Sequence, residues 1–435
     1  MDKYSSYKDS GIQWLGQIPT HWELKHLRNF LTIFSEKGYG DAQLLSVTRD
    51  KGVILRNKDD KEENHNYVPD DLSGYKHLYA GDFVINKMKS WQGSYGVSDY
   101  EGIVSPAYFT CKLRGVDPQF FSRAIRSKAY IGFFMQFSKG IRVDQWDLDP
   151  SSMKDIPFVL PPIEEQKRIV PYLDRVTATI DEAITQQQRM IELLNERRQI
   201  IICHVITKGL DKDAPLKNSG IDWAGDVPKS WEKRRIYYTI EQRFDGAWGE
   251  DEKGDSDDII CYRIADFDYQ NGCLDNRKLT LRSIDKDTRT KKQVFLGDLL
   301  VEKSGGGDLF PVGRVVSVNF DQKAICSNFI QALRIKPEFD SRFVFYVFKA
   351  MYSKKVNVPF YNQTTGIQNL QVKEYLKNEM YYPDYEEQCR ISRHLDEVSD
   401  SIQKRIDDCN SMISLLQERK QIIISEVVTG KVKIS

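Results

Sequence analysis

Each half of this chain carries two polar, glycine-interrupted loops whose residue types could contact a polyanion or the edge of a base. In the first half, residues 86–93 read Asn-Lys-Met-Lys-Ser-Trp-Gln-Gly and residues 138–145 read Ser-Lys-Gly-Ile-Arg-Val-Asp-Gln. In the second half, residues 302–307 read Glu-Lys-Ser-Gly-Gly-Gly and residues 362–369 read Asn-Gln-Thr-Thr-Gly-Ile-Gln-Asn. Lysine and arginine pair with phosphate, glutamine offers a donor and an acceptor to adenine, and glycine lets backbone approach a groove closely. The candidate contacts are therefore Lys87, Lys89, Ser90, Trp91, Gln92, Arg142 and Gln145, with Lys303, Ser304, Gly305, Gly306, Gln363, Thr364, Thr365 and Gln368. Corresponding loops recur in both halves while their side chains differ, as expected of surfaces that read different targets.

Catalytic patterns are poorly represented. Gly305-Gly306-Gly307 is not followed by Gly-Lys-Ser/Thr, so a phosphate-cradling loop is absent, and no G-x-G-x-x-G fingerprint occurs. The six histidines (21, 26, 65, 77, 204 and 394) form no H-x-x-x-H or H-E-x-x-H cluster, so no metal site is expected. Leu160-Pro161-Pro162-Ile163 lacks the polar residue and the aromatic of an Asn-Pro-Pro-Tyr-type methyltransferase motif. The nearest nuclease-like set is Asp308 with Asp321 and Lys323, two acids and a lysine that could hold a metal and a water. The reading is of a chain with no catalytic residue and no cofactor of its own. A nuclease built on that set, or a coiled-coil scaffold that never touches DNA, are the alternatives.

Composition narrows the partners. The 435 residues include 63 basic and 63 acidic side chains, for a net charge of zero. By segment, residues 1–160 carry +1, 161–211 carry −1, 212–383 carry +2 and 384–435 carry −2. A protein that coats nucleic acid by bulk attraction is excluded, and binding must use local patches. Seven cysteines at scattered positions, without a C-x-x-C pair, indicate reduced thiols in a cytoplasmic protein. No apolar run approaches a membrane span of roughly 18 residues, and the start of the chain lacks the apolar stretch of a secretory signal.

The elements that position these loops are duplicated. Ser10-Gly11-Ile12-Gln13-Trp14-Leu15-Gly16, followed by Ile18-Pro19 and Trp22, returns 209 residues later as Ser219-Gly220-Ile221-Asp222-Trp223-Ala224-Gly225 with Val227-Pro228 and Trp231. Glu164-Glu165-Gln166 returns 222 residues later as Glu386-Glu387-Gln388, and the register holds to Ile200-Ile201-Ile202 and Ile422-Ile423-Ile424. So long a period means a duplicated unit and not a solenoid. Residues about 40–115 and about 245–335 hold short β-type runs bounded by turn residues. Helices are expected over 119–137, after Asp117-Pro118, and over 338–351, after Pro337.

The repeated blocks themselves read as long helices with an apolar stripe of period 3.5. The stripe runs through Ile169, Leu173, Val176, Ile180, Leu194 and Ile201, and again through Ile391, Leu395, Val398, Ile402, Leu416 and Ile423. Pro161-Pro162 and Pro383 set the starts, while Gly209 and Gly430 mark the ends. Each helix of about 42 residues would span about 63 Å, more than a domain of about 150 residues can cover. The expected architecture is α+β, with two globular heads separated by two helices in an antiparallel coiled coil and a pseudo-two-fold internal repeat. The expected domains are 1–160, 161–211, 212–383 and 384–435, with the heads at opposite ends of a rod.

The doubled opening, from Tyr7 to Trp22 and from Leu216 to Trp231, resembles the signature of type I restriction–modification specificity subunits. Pro161-Pro162-Ile163-Glu164-Glu165-Gln166 and Pro383-Asp384-Tyr385-Glu386-Glu387-Gln388 resemble that family's Pro-x-x-Glu-Gln start to its long helices. Ala80-Gly81-Asp82-Phe83-Val84-Ile85 and Leu296-Gly297-Asp298-Leu299-Leu300-Val301 are similar to its strand motif. The resemblance implies two target recognition domains, each reading one half of a bipartite, asymmetric site in double-stranded DNA. It also implies helices that set the spacer and dock two modification (methyltransferase) subunits, with restriction subunits joining them. S-adenosylmethionine, ATP and magnesium would then belong to those partners. The helices lack the short tetrapeptide repeat by which some members vary spacer length.

Overall fold

The computed structural model describes residues 2–57, 68–139, 146–364 and 366–434. The chain forms two compact units, one of residues 1–187 with 411–435 and the other of residues 188–410. Each unit therefore contains one α+β head, the start of the long helix that follows it, and the end of the other long helix.

In the first unit, the signature folds as a hairpin in which Tyr7–Asp9 pairs antiparallel with Gln17–Pro19. Glu23–His26 then pairs with Pro157–Leu160, so the strand that follows the hairpin and the last strand of the head lie side by side. The main sheet is antiparallel, in the order Leu31–Phe34, Phe109–Leu113, Phe83–Ile85, Tyr95–Val97. Its fully buried Phe83, Ile85 and Tyr95 share one core with Phe120, Phe121 and Phe134 of the head helices. The helix expected over 119–137 is two helices, Pro118–Ile125 and Lys128–Phe137, broken at Arg126 and Ser127. Asp117 caps the first by accepting from the Phe120 amide at 2.8 Å, and Pro118 stands where no amide hydrogen is needed.

The second unit repeats the plan on a larger scale. Leu216–Asn218 pairs with Asp226–Pro228, and Glu232–Arg235 pairs with Glu379–Tyr382. A six-stranded mixed sheet runs Ile240–Asp245, Ile330–Ile335, Leu299–Glu302, Val315–Ser317, Cys273–Leu274, Phe267–Asp268. The head helix is Ser341–Ser353 and does not begin after Pro337 as expected. Its start is fixed by the carboxylate of Asp340, which accepts from the Phe343 amide at 2.7 Å. Capping of exposed amides outweighs the proline signal here.

The long helices are Ile163–Lys208 and Tyr385–Val428. They pair antiparallel within each unit. In the first, Lys420 Nζ lies 2.7 Å from Asp181, and Ile180 shares a core with Ile423 and Val427. In the second, Leu194, Ile402 and Ile406 cluster with Val398, and Arg198 donates to Gln403 at 3.2 Å. The apolar stripe is not a uniform helix–helix seam, however. Ile169 and Leu173 are buried in the core of the first head, and Ile391 and Leu395 in the core of the second. The first turns of each helix bury their stripe against the head they leave, the last turns (Ile202, Val205 and Ile206; Ile423, Val427 and Val428) lie in the head core of the unit they enter, and the turns between form the coiled coil. Val176, Leu416 and Ile201 are partly buried beside these cores. Among the described residues, no helix is long and apolar enough to cross a membrane.

Candidate nucleic-acid interface

The repeated motifs build the root on which each pair of loops stands. Gln166 Oε1 accepts from the Asp117 amide at 2.9 Å while its Nε2 donates to the Pro161 carbonyl at 2.8 Å. Gln388 does the same with Asp340 and Pro383, at 3.1 and 2.9 Å. Each glutamine thus ties the capping residue of a head helix to the proline turn that starts a long helix. Arg123 donates to Asp174 at 2.8 Å, and Arg342 to Asp396 at 2.7 Å, a second tie in the same place. The Gly-Asp strand motif is also structural. Buried Asp82 caps its turn through the Tyr79 amide and pairs with Lys112, and Asp298 likewise accepts from Phe295 and pairs with Arg334.

On this root the two candidate loops of each head lie side by side. The amide of Leu148 donates to the Lys87 carbonyl at 3.1 Å, and that of Leu370 to the Lys303 carbonyl at 2.8 Å. In the first head, Ser138–Lys139 pairs with Asp147–Leu148. In the second, Tyr361–Thr364 and Ile367–Leu370 form a hairpin whose inner strand pairs with Ser304–Gly305. Arg142, Gln145 and Thr365 lie outside the described residues, as does the side chain of Thr364.

Several expected contacts face inward. Ser90 is fully buried, with its hydroxyl bonded to the Lys87 carbonyl at 3.1 Å and to Ser138 at 3.3 Å. Ser304 donates to Asn369 at 2.6 Å, and buried Gln368 accepts from the Val312 amide at 3.1 Å. These three hold the loops in shape and are removed from the set that can reach a base. Lys87 is half-buried and paired with Asp147 at 3.1 Å, and Lys303 with Asp245 at 2.8 Å. Gln92 is half-buried, and Trp91 packs its ring 5.3 Å from that of Trp146. Lys89 and Gln363 are exposed. Gly306 has a φ of +62°, and a Cβ there would lie 2.7 Å from the Val312 amide nitrogen, so the tight loop requires glycine.

The second head offers side chains the loop pattern did not indicate. Trp248 and Phe329, 39 % and 46 % exposed, line a hollow of about 350 Å³ with Arg263 and Asn328. Arg282 stacks over Trp248 at 4.5 Å, and the bonds of Arg263 to Asp266 hold its guanidinium firmly charged. The signal was an exposed aromatic beside a turn glycine, Trp248-Gly249, within an otherwise polar run. A larger cavity of about 950 Å³ is lined by Tyr269, Asp308, Phe310, Arg314 and Lys349. Arg314 makes two bonds to buried Glu302, at 2.8 and 3.0 Å, and stacks over Tyr269 at 3.6 Å. Burial pushes the Lys349 ammonium down to about 8. Asp308 lines this cavity but Asp321 and Lys323 do not, and among the described residues no three His, Cys, Asp or Glu side chains are grouped to hold a metal. The arrangement offers ammonium groups for phosphates and exposed rings and amides for base edges, on a rigid repeated support.

Comparison with known proteins accords with this geometry. Residues 251–408 match the family model of the type I restriction modification DNA specificity domain. The putative type I restriction enzyme MjaX specificity subunit of Methanocaldococcus jannaschii is 25 % identical over 240 residues, 50 % of this chain and 52 % of that protein. The type I restriction enzyme StySPI specificity subunit of Salmonella potsdam is 22 % identical over 441 residues, covering 96 % of this chain and 90 % of its own length. The chain therefore spans about half the length of the first relative and nearly all of the second. A solved chain from work on complex assembly and conformational transition of the type I R-M system shares the fold. Its TM-score is 0.68 at 16 % identity, over 95 % of this chain and 99 % of that one.

Proposed function

We infer that the chain is a type I restriction–modification specificity subunit, and we propose that it is the non-catalytic subunit that gives such a complex its DNA sequence. One observation carries the reading. The two roots repeat the same glutamine and arginine ties, while the loops mounted on them differ in sequence, with Lys89 exposed in the first head and Gln363 exposed in the second. A support held constant beneath two different tips suits a reader of two different half-sites.

In this reading, residues 1–160 and 212–383 are the recognition domains, and the helices within 161–211 and 384–435 fix the spacer. Each head brings its adjacent loops to a groove, with lysines on phosphates and exposed side chains on base edges. Half-sites read from one face of the duplex lie about one helical turn apart, roughly 34 Å. The target adenine must leave the stack to be methylated, a task for the pocket of a modification subunit docked on the helices. S-adenosylmethionine, ATP and magnesium serve the modification and restriction subunits. With a net charge of zero, the isolated chain should bind DNA weakly, and tight, salt-dependent binding should need the modification subunits around the duplex.

Replacing residues 245–335 with those of a related chain tests this. The prediction is a change in one half of the recognised sequence with the other half and the spacer kept. An unchanged sequence, or one changed in both halves, would contradict the two-reader assignment.

A further inference from the structure

The two roots differ in one respect that the repeat makes visible. In the first, Tyr4 is buried against the signature: its hydroxyl donates to Glu165, and its ring meets those of His21 and Trp22 at 5.5 and 5.8 Å. The Trp22 indole N–H and His21 Nε2 also reach Glu165, each at 3.0 Å. The carboxylate is satisfied by three groups, one of them delivered by the chain's N-terminal segment.

In the second root the counterparts of His21, Trp22 and Glu165 are Ser230, Trp231 and Glu387, and these three line an open cleft of about 400 Å³. The register of the repeat puts Asp213 where Tyr4 stands, and Asp213 is exposed. One buried polar group on the cleft, the Tyr382 hydroxyl, in a residue 3 % exposed, lacks a hydrogen-bond partner among the described residues, while the buried Trp231 indole N–H is directed at Glu387 as that of Trp22 is at Glu165. Buried donors without partners are rare, and each costs stability until something meets it. The cleft also carries Glu232, Glu338, Asp384 and Glu387 against Arg234 and Lys336, so its charge favours a basic visitor.

We propose that this cleft is a docking site for a tyrosine flanked by lysine or arginine on an extended segment of a partner protein. The tyrosine hydroxyl donates to Glu387 as that of Tyr4 donates to Glu165, and the segment engages the Tyr382 hydroxyl left open. The N-terminal segment of this chain shows the pattern the cleft accepts, since Lys3-Tyr4 and Tyr7-Lys8 set each tyrosine beside a lysine. Because Tyr4 closes the first root, the site occurs once per chain and gives a near-symmetric scaffold a single polarised attachment. The inference is independent of which DNA sequence the heads read, or whether they read one.

A fluorescently labelled peptide with the sequence of residues 1–9 serves as the probe, titrated with the full chain and followed by anisotropy. We expect one peptide per chain, loss of binding when the peptide's fourth residue is alanine, and weakening by about tenfold in Glu387→Gln, the effect of one charged hydrogen bond. Ser230→Trp, which fills the cleft, should abolish binding while the circular dichroism spectrum and melting temperature match the unsubstituted chain. Binding undetected up to about 1 mM, or unaffected by both substitutions, would overturn the proposal. So would sedimentation showing a dimer of the free chain that Tyr4→Ala dissolves, because the visitor would then be a second copy.

Discussion

Gly209 and Gly430 follow the two long helices, one residue out of the 222-residue register of the repeat, and both have a φ of +73°. Alanine at either position pays for a left-handed backbone, roughly 1–2 kcal/mol. The surroundings then separate them. A Cβ on Gly430 would lie 2.4 Å from Pro19 Cδ, 2.7 Å from Pro19 Cγ and 3.0 Å from Trp22 Cζ3, all parts of rigid rings. Overpacking of that kind adds about 1–3 kcal/mol. On Gly209 the nearest atoms are the Glu387 carboxylate at 3.1 Å and Trp231 Cζ2 at 3.3 Å, and the first is the free end of a flexible side chain. Gly430→Ala should therefore cost about 2–5 kcal/mol and Gly209→Ala about 1–2. Urea unfolding followed by far-ultraviolet circular dichroism and by tryptophan fluorescence measures both, with separate transitions resolved if the units melt apart. A Gly209→Ala penalty equal to or larger than that of Gly430→Ala would refute the tight seating of the C-terminal turn on the first signature.

Other substitutions test the root, the cavity and the loops. Gln166→Ala leaves the Asp117 amide and the Pro161 carbonyl without partners in a buried place, so unfolding should cost about 2–4 kcal/mol less and exchange at the Asp117 amide should quicken; protection unchanged from the parent would count against the tie. Lys349 has its folded pKa lowered to about 8, so the unfolded chain binds more protons between that value and the ordinary lysine range, and stability rises with pH across the interval. Lys349→Met should be more stable than the parent at neutral pH by up to about 3 kcal/mol, with the advantage fading towards pH of about 10.5; an advantage independent of pH, measured by urea unfolding, would show that the ammonium is already solvated. In the assembled complex, Lys89→Ala should weaken DNA binding and reduce the slope of log affinity against log salt by about 1, whereas Ser90→Ala should lower the melting temperature without altering the sequence preferred. Trp248→Ala or Phe329→Ala should relax the sequence preference of one half-site in a selection from random DNA, and an unchanged preference would remove that surface from the interface.

Most of the fold was legible because duplication writes each constraint twice. The glutamine at 166 and 388 and the tryptophan at 22 and 231 stand in matched places, the glycine at 209 and 430 stands within one residue of such a match, and each proves to tie or seat the same pair of elements. Local signals misled where a tertiary partner decided the outcome. Pro337 suggested a helix start, but the carboxylate of Asp340 sets it three residues later. The stripe at Ile169 and Leu173 has coiled-coil spacing, yet the head core covers it, since a heptad pattern does not say which apolar surface will meet it. The loops were the least legible. Ser90, Ser304 and Gln368 have the composition of reading residues and turn inward, because short polar side chains satisfy loop backbone as readily as they meet a ligand. Trp248 was signalled by its place beside Gly249 in a polar run, whereas Phe329 is exposed through the placing of a turn that residue types alone do not reveal.

The most direct test of the account is single-molecule sequencing of methylated adenines in DNA from cells that express this chain with the modification subunits proposed as its partners. The account predicts one asymmetric motif in two parts, separated by a spacer of unspecified bases, with only one part altered when residues 245–335 are exchanged. A continuous motif, or methylation with no sequence preference, would contradict it.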